Sequence, residues 1–232
     1  MAARAPGASP PAVEAAFLLS AAAKKQFPEP LDFEVFVLGR SNCGKSSLLN
    51  RWLGRKAMAR VGGTPGRTRL ANFFRVVFSP SDPPMLVCDL PGYGYASAPK
   101  ATVEGWRTLL SDYLSAARGP RLALLLMDIR RKVQAEEINL AGWLASLSLS
   151  YQVVATKSDK LTPNARRKAL KALGTELGGS PLAFSSLTGQ GREELISLVA
   201  EARRSFPRKA REGGEGEEAE EGAVGRGLSP LA

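Results

Sequence analysis

The chain of 232 residues contains no histidine. A histidine general base, a Ser-His-Asp triad and a His-ligated metal are thereby excluded, which removes many enzyme classes at once. Cysteine is scarce: Cys43 and Cys88 form neither a metal-binding spacing nor a disulfide framework, and such sparse use fits a reducing, cytoplasmic compartment. No apolar run approaches the roughly 18 residues a bilayer-spanning helix needs, so stable membrane insertion is not expected. Residues 15–23 (AAFLLSAAA) faintly resemble the apolar region of a signal peptide. However, acidic Glu14 precedes them, and Lys24, Lys25 and Gln26 follow where a small-residue cleavage site should end. A short helix packing on the domain is the expectation there.

What is present suits one ordinary domain with tails, long enough to bury a core without disulfides or a structural metal. Hydrophobic residues at 44% and charged residues at 23% are the proportions of a soluble globular chain. The formal charge of +10 is unevenly spread: four basic and six acidic residues after Phe206 leave the preceding body at +12. A basic body suits a polyanionic partner, with nucleic acid the first candidate.

Residues 1–30 are rich in Ala and Pro and read as a partly ordered extension, residues 31–206 as the folded domain. Residues 207–232 are rich in Gly and Glu, lack apolar periodicity and read as a disordered tail. Between the tails, apolar runs at 33–38, 73–78, 85–88, 122–127, 152–155 and 181–184 predict strands, with a turn at 79–84 joining the second and third. Helical patterns occupy 45–53, 102–117, 133–147, 163–177 and 192–206. The alternation predicts a three-layer α/β fold, its mainly parallel central sheet covered on both faces. In such folds ligands sit at the carboxyl ends of the strands.

Residues 39–46 (Gly39, Arg40, Ser41, Asn42, Cys43, Gly44, Lys45, Ser46) fit G-x-x-x-x-G-K-[ST] between a predicted strand and a predicted helix. Such a loop wraps phosphates with backbone N–H groups at a helix N-terminus. Lys45 reaches the β- and γ-phosphates, and the Ser46 hydroxyl binds magnesium. The run 85–88 ends in Asp89, followed by Leu90, Pro91 and Gly92: a D-x-x-G element that puts a carboxylate on the metal side and a γ-phosphate-sensing amide at Gly92. Between these elements lies 62–68 (GGTPGRT), a loop suited to bring a hydroxyl to the metal. Thr68 is the choice there, with Gly66 and Arg67 beside it; Thr64, which precedes a proline, is the competitor.

Thr156, Lys157, Ser158 and Asp159 match [NT]-K-x-D after a buried strand. Asp159 can accept from the N1–H and exocyclic amine of guanine, a pattern adenine does not present, which argues against an ATPase. The stem of Lys157 can lie over the base. Ser185, Ser186 and Leu187 follow the last strand and would complete the base pocket, with a backbone N–H near Ser186 on the guanine carbonyl. Candidate catalytic groups are then Lys45, Thr68 and Gly92, and candidate metal ligands Ser46, Thr68 and Asp89.

The wording GRSNCGKSSLLN, TPGRT with NFF, DLPGYGYA, MDIR, TKSD and FSS resembles the bacterial EngB family of translation-factor-like P-loop GTPases, over about residues 15–206. The resemblance implies a magnesium-dependent GTP/GDP-binding protein, associated with assembly of the large ribosomal subunit and with normal cell division and septation; a monomer is expected. It also implies that the magnesium-binding threonine is Thr68. The acidic tail departs from the usual family length.

Where Ras-like proteins carry a water-orienting glutamine after D-x-x-G, this chain has Tyr93, so slow intrinsic turnover is expected. Asn42 occupies the position from which potassium-using GTPases hold that ion in place of an arginine finger, which suggests potassium stimulation; otherwise Asn42 only shapes the loop. Cys43 is either a small loop filler or a redox-sensitive thiol. Tyr93, Tyr95 and Trp106 are either switch-region contacts or core. The basic clusters Arg51/Arg55/Lys56/Arg60, Arg130/Arg131/Lys132 and Arg166/Arg167/Lys168/Lys171 are candidate phosphate-backbone contacts. A second functional class stays open: a nucleotide-dependent scaffold in cell division whose hydrolysis is incidental.

Overall fold

A computed structural model describes residues 12–55, 58, 70–93 and 100–206. Its strands are β1 (Glu14–Ala21), β2 (Glu34–Gly39), β3 (Ala71–Val77), β4 (Met85–Asp89), β5 (Arg121–Asp128), β6 (Ser150–Thr156) and β7 (Leu182–Ala183). Its helices are α1 (Lys45–Leu53), α2 (Lys100–Ser115), α3 (Ala135–Ser146), α4 (Pro163–Leu177) and α5 (Arg192–Ser205). The expected α/β architecture is present: one sheet of order β1-β3-β4-β2-β5-β6-β7. The pairs made by β3 with β1 and β4 are antiparallel and the others parallel.

Every residue of β2 and β5 is buried, as parallel strands covered on both faces require. Alternation along β2 divides the core. Phe36 and Leu38 face a layer formed by Tyr113 of α2, Leu144 of α3 and Leu177 of α4. Val35 and Val37 face the layer formed by Trp52 of α1 and Leu195 of α5. Helix α4 begins at its expected residue because Pro163 opens it and Thr162 Oγ1 accepts from Ala165 N at 3.4 Å.

The segment 15–23 is not the expected helix. Residues 14–21 form the edge strand β1, antiparallel to β3 with a bulge between Phe17 and Leu19. The Ala/Leu composition favours a helix locally, but the unpaired edge of β3 offers a full ladder of backbone partners, and tertiary pairing overrides propensity. Side chains reinforce the register. Ser20 Oγ donates to Asn72 Oδ1 at 2.6 Å, Phe17 meets Phe74 edge-to-face, and Glu14 pairs with Arg75. Arg55, just beyond α1, donates to the carbonyls of Ala12 and Val13 at 3.0 Å and fastens the start of the strand.

Strand β2 lies where the chain reverses its direction of growth, with β4 on one side and β5 on the other. That switch point opens a crevice at the carboxyl end of β2.

Candidate nucleotide-binding site

Parallel registration gathers the motifs. Val37 lies opposite Asp89, Gly39 opposite Leu126 and Asp128 opposite Thr156, so segments far apart in sequence end together at one rim. Gly39 closes β2 where a Cβ would stand 2.6 Å from Leu126 O and 2.7 Å from Cys43 Sγ, so no larger residue fits. Asn42 (φ 63°) and Gly44 (φ 104°) are left-handed and curl the following loop into a nest at the N-terminus of α1. Lys45 folds back over the loop: its Nζ donates to Gly39 O at 3.1 Å and Arg40 O at 3.2 Å.

Beside it, Ser46 Oγ donates to Asp89 Oδ2 at 3.4 Å. Asp89 is buried, and its Oδ1 has no hydrogen-bond partner among the described residues. Burial pushes the Asp89 carboxyl up to about 6, with the Lys45 charge and the Ser46 bond pulling the other way. A buried carboxylate with one orphaned oxygen next to a hydroxyl fits a hard divalent cation. Among the described residues no three His, Cys, Asp or Glu side chains converge. Magnesium commonly takes one or two protein ligands and fills the rest of its shell with phosphate and water, which such a sparse donor set suits.

Gly92 approaches the loop so closely that a Cβ would lie 2.5 Å from Lys45 Nζ and 2.9 Å from Ser41 N. Ser41 N donates to Tyr93 O at 2.9 Å, and a parallel bridge joins Arg40 to Tyr93, so the D-x-x-G segment is zipped to the phosphate loop. Leu90 and Pro91 are buried behind it, with Leu90 N bonded to Val37 O and Pro91 O accepting from Trp106 Nε1 at 2.7 Å. Tyr93 is core: its ring packs on Trp106 and its hydroxyl donates to buried Glu137 at 3.4 Å. Burial, then the Glu137 carboxylate, raises the Tyr93 pKa. Glu137 also accepts from Gln134 N and lies 3.9 Å from Arg40, whose other carboxylate neighbour is Glu136.

On the far side of the loop, Thr156 Oγ1 lies 2.6 Å from Cys43 O and 3.0 Å from Met127 O, tying β6 to the loop and to β5. Lys157 is left-handed (φ 58°) and sends Nζ to Asn42 O at 2.8 Å and to Asp128 Oδ2 at 3.0 Å. Ser158 is fully buried and bonds Gln190 Oε1. Ser185 Oγ donates to Asp159 Oδ1 at 2.6 Å, and this bond, the largest influence on it, lowers the Asp159 carboxyl. Ser186 is half-buried in the turn after β7, while Leu187 points outward at 74% exposure. The Cys43 thiol is buried, and desolvation raises its pKa despite nearby Lys45, which makes it a loop filler.

Gly66, Arg67 and Thr68, with the competing Thr64, lie outside the described residues, as does Tyr95. Three participants were not singled out from sequence. Asp128 accepts from Arg130 Nε (2.9 Å), Arg130 Nη2 (2.6 Å) and Lys157, bonds that outweigh desolvation and hold its carboxyl well below the usual range. An acidic residue ending an apolar run was the available signal for it. Glu137 and Gln190 gave none.

Residues 34–157 match the family model described as 50S ribosome-binding GTPase. A protein of Fusobacterium nucleatum subsp. nucleatum named probable GTP-binding protein EngB is 39% identical over 192 residues, spanning 81% of this chain and 96% of that one. A namesake in Roseobacter denitrificans is 40% identical over 191 residues, 80% of this chain and 86% of that one. Solved structures share the fold. A probable GTP-binding protein engB superposes with TM-score 0.58 at 22% identity, over 74% of this chain and 98% of that one. Era bound to MgGDPNP and nucleotides 1506–1542 of 16S ribosomal RNA superposes with TM-score 0.62 at 21% identity, over 83% of this chain and 60% of that one. With the phosphate loop, the D-x-x-G segment and the T-K-x-D turn gathered at one rim, and this identity along nearly the whole length of its relatives, the chain belongs to the EngB family of P-loop GTP-binding proteins.

Proposed function

We propose that the protein is a slow, magnesium-dependent GTPase that switches between GTP and GDP forms on the large ribosomal subunit during its assembly, a role on which normal cell division and septation depend. The observation that carries this reading is the cleft itself: Lys157 joins the phosphate loop to the T-K-x-D turn with a 2.8 Å bond to Asn42 O, and Asp159 stands beside it, held by Ser185. The loop from Gly39 to Ser46 cradles the phosphates, and Lys45 leaves its own loop carbonyls for the β- and γ-phosphates. Asp159 accepts from guanine, with Thr156, Ser158, Ser185, Ser186 and Leu187 framing the base. Ser46 and Asp89, with Thr68, would hold magnesium, which when bound would supply charge neutralisation to the phosphates. Gly66 and Arg67 carry Thr68 to it.

Gly92 occupies the mouth of the loop, so accommodating a γ-phosphate requires the 89–93 segment to lift off Ser41, and this couples nucleotide state to surface. Tyr93, buried and bonded to Glu137, offers no group to orient a water, which supports slow turnover. Exposed Asn42 is available to a potassium ion beside the phosphates. No helix among the described residues is long and apolar enough to cross a membrane, and the basic body suits a cytoplasmic monomer working against ribosomal RNA.

The test is GTP hydrolysis and GDP affinity measured with and without purified large ribosomal subunits, in potassium and in sodium buffer. Association in the GTP form with a changed turnover is expected, faster in potassium. GTP binding without subunit association would leave a GTPase with another partner, the cell-division scaffold among them. Equal rates in the two salts would remove potassium.

A further inference from the structure

A cavity of about 370 Å³ lies against the phosphate loop on its α3 side. Its floor is formed by Ser41, Asn42 and Cys43 with the end of β5. Neither Lys45, Ser46, Asp89 nor Asp159 lines it. The cavity shares Arg40, Ser41, Asn42, Cys43 and Lys157 with the candidate nucleotide site and extends from it, away from Lys45, Ser46 and α1, to the Arg130–Lys132 loop and Glu137 of α3.

Its walls carry five cations, Arg40, Arg130, Arg131, Lys132 and Lys157, against two carboxylates, Asp128 and Glu137. Arg130 and Lys157 both pair with the single carboxylate of Asp128, and Arg40 faces Glu136 and Glu137. The side chains of Arg131 and Lys132 are exposed and have no ion-pair partner among the described residues. Two consecutive unpaired cations at the lip of a concave, net-positive recess are what a phosphodiester backbone docks into, because the recess supplies charge and the lip reaches adjacent phosphates.

We infer that the Arg130–Lys132 loop and this recess are an RNA-phosphate docking site. The inference rests on the proposed ribosomal role and names the residues that would meet the RNA. Arg40 connects the site to the nucleotide segment. It approaches Glu137, and Glu137 accepts from Tyr93, so a phosphate that engages Arg40 competes with the Glu137 carboxylate, which anchors the 89–93 segment, for the guanidinium. The α4 cluster lacks this geometry: Arg167, Lys168 and Lys171 lie along the exposed face of α4, and the recess that Lys171 borders holds no residue of the phosphate loop.

The test compares R131Q/K132Q with R167Q/K168Q, which removes the same charge elsewhere. Binding of a fluorescein-labelled RNA hairpin and of large ribosomal subunits is titrated against potassium chloride, with GDP affinity measured alongside. Expected for R131Q/K132Q is a loss of RNA affinity of about tenfold or more, and a salt slope shallower by about 1.5, since each lost phosphate contact removes about 0.7–0.9. GDP affinity stays within threefold of the parent, and the α4 pair changes RNA binding little. Equal losses in the two pairs, no loss in either, or a parallel fall in GDP affinity would each overturn the assignment. Hairpin binding lost in R131Q/K132Q while subunits fail to bind the parent would keep the docking site and remove the ribosomal reading. Subunit binding indifferent to both substitutions would do the reverse.

Discussion

Arg118→Met tests the best-defined polar cluster in the core. Glu34, at the amino end of β2, is completely buried; it accepts from Arg118 Nε at 2.9 Å and from the Tyr113 hydroxyl. The Arg118 guanidinium also donates to Pro28 O at 3.0 Å and lies 5.6–5.9 Å from the ring centroids of Phe27, Phe73 and Tyr113. Methionine keeps the apolar stem but leaves a carboxylate in the core with one hydroxyl for company. Removing one partner of a buried pair costs about 3–5 kcal/mol, and the lost ring stacking adds about 0.5–1 kcal/mol. For a domain of this size each kcal/mol moves Tm by about 2–4 °C, so the variant should melt roughly 7–24 °C lower. The double variant E34Q/R118M, with no stranded charge, should recover much of the loss. The assay is urea and thermal unfolding, with GDP affinity as control. Affinity should hold, because Glu34 and Gly39 are at opposite ends of a strand about 16 Å long. A single variant within 1 kcal/mol of the parent would refute the reasoning.

Three more expectations concern the nucleotide cleft. Asp159→Asn turns an acceptor toward guanine's donors into an amide; losing two charge-assisted bonds at about 1.5–3 kcal/mol each raises the GDP Kd by about 10²–10⁴. Xanthine carries a carbonyl where guanine has its amine, so calorimetry should show XDP gaining; unchanged GDP affinity would remove Asp159 from the base. Asp89 titrates at about 6 in the free protein against 3.8 unfolded, mainly through burial. A carboxyl raised on folding favours the folded state at low pH and loses that advantage between about pH 4 and 6, a cost of about 3 kcal/mol above that window. Asp89→Asn should therefore stabilise the nucleotide-free protein at pH 7.5 but not at pH 4, while abolishing the magnesium dependence of GTP binding. Equal melting shifts at the two pH values would contradict this. Gly92→Ala places a methyl 2.9 Å from Ser41 N and should cut GTP hydrolysis by about 10–100-fold with GDP affinity within threefold; unaltered single-turnover rates would show that this segment does not gate the site.

The phosphate loop, Asp89 and the T-K-x-D turn were legible in sequence because their chemistry is local. A glycine that must avoid Leu126 O, a lysine and a hydroxyl at a helix start, and a carboxylate ending an apolar strand each demand one residue type at one spacing. The same holds for α4, whose proline and threonine cap mark its start at Pro163. The sequence by itself thus determined the alternation of strands and helices and the motifs that the fold gathers at one rim. Only the tertiary structure decided that residues 14–21 are a strand, since that depends on an open β3 edge rather than on Ala and Leu preferences. It alone joined Asp128 to Lys157 and Glu137 to Tyr93, pairs 29 and 44 residues apart. No local pattern encodes such pairs: they exist because parallel strands deliver their carboxyl ends to one rim, where groups brought together by topology must neutralise one another away from water.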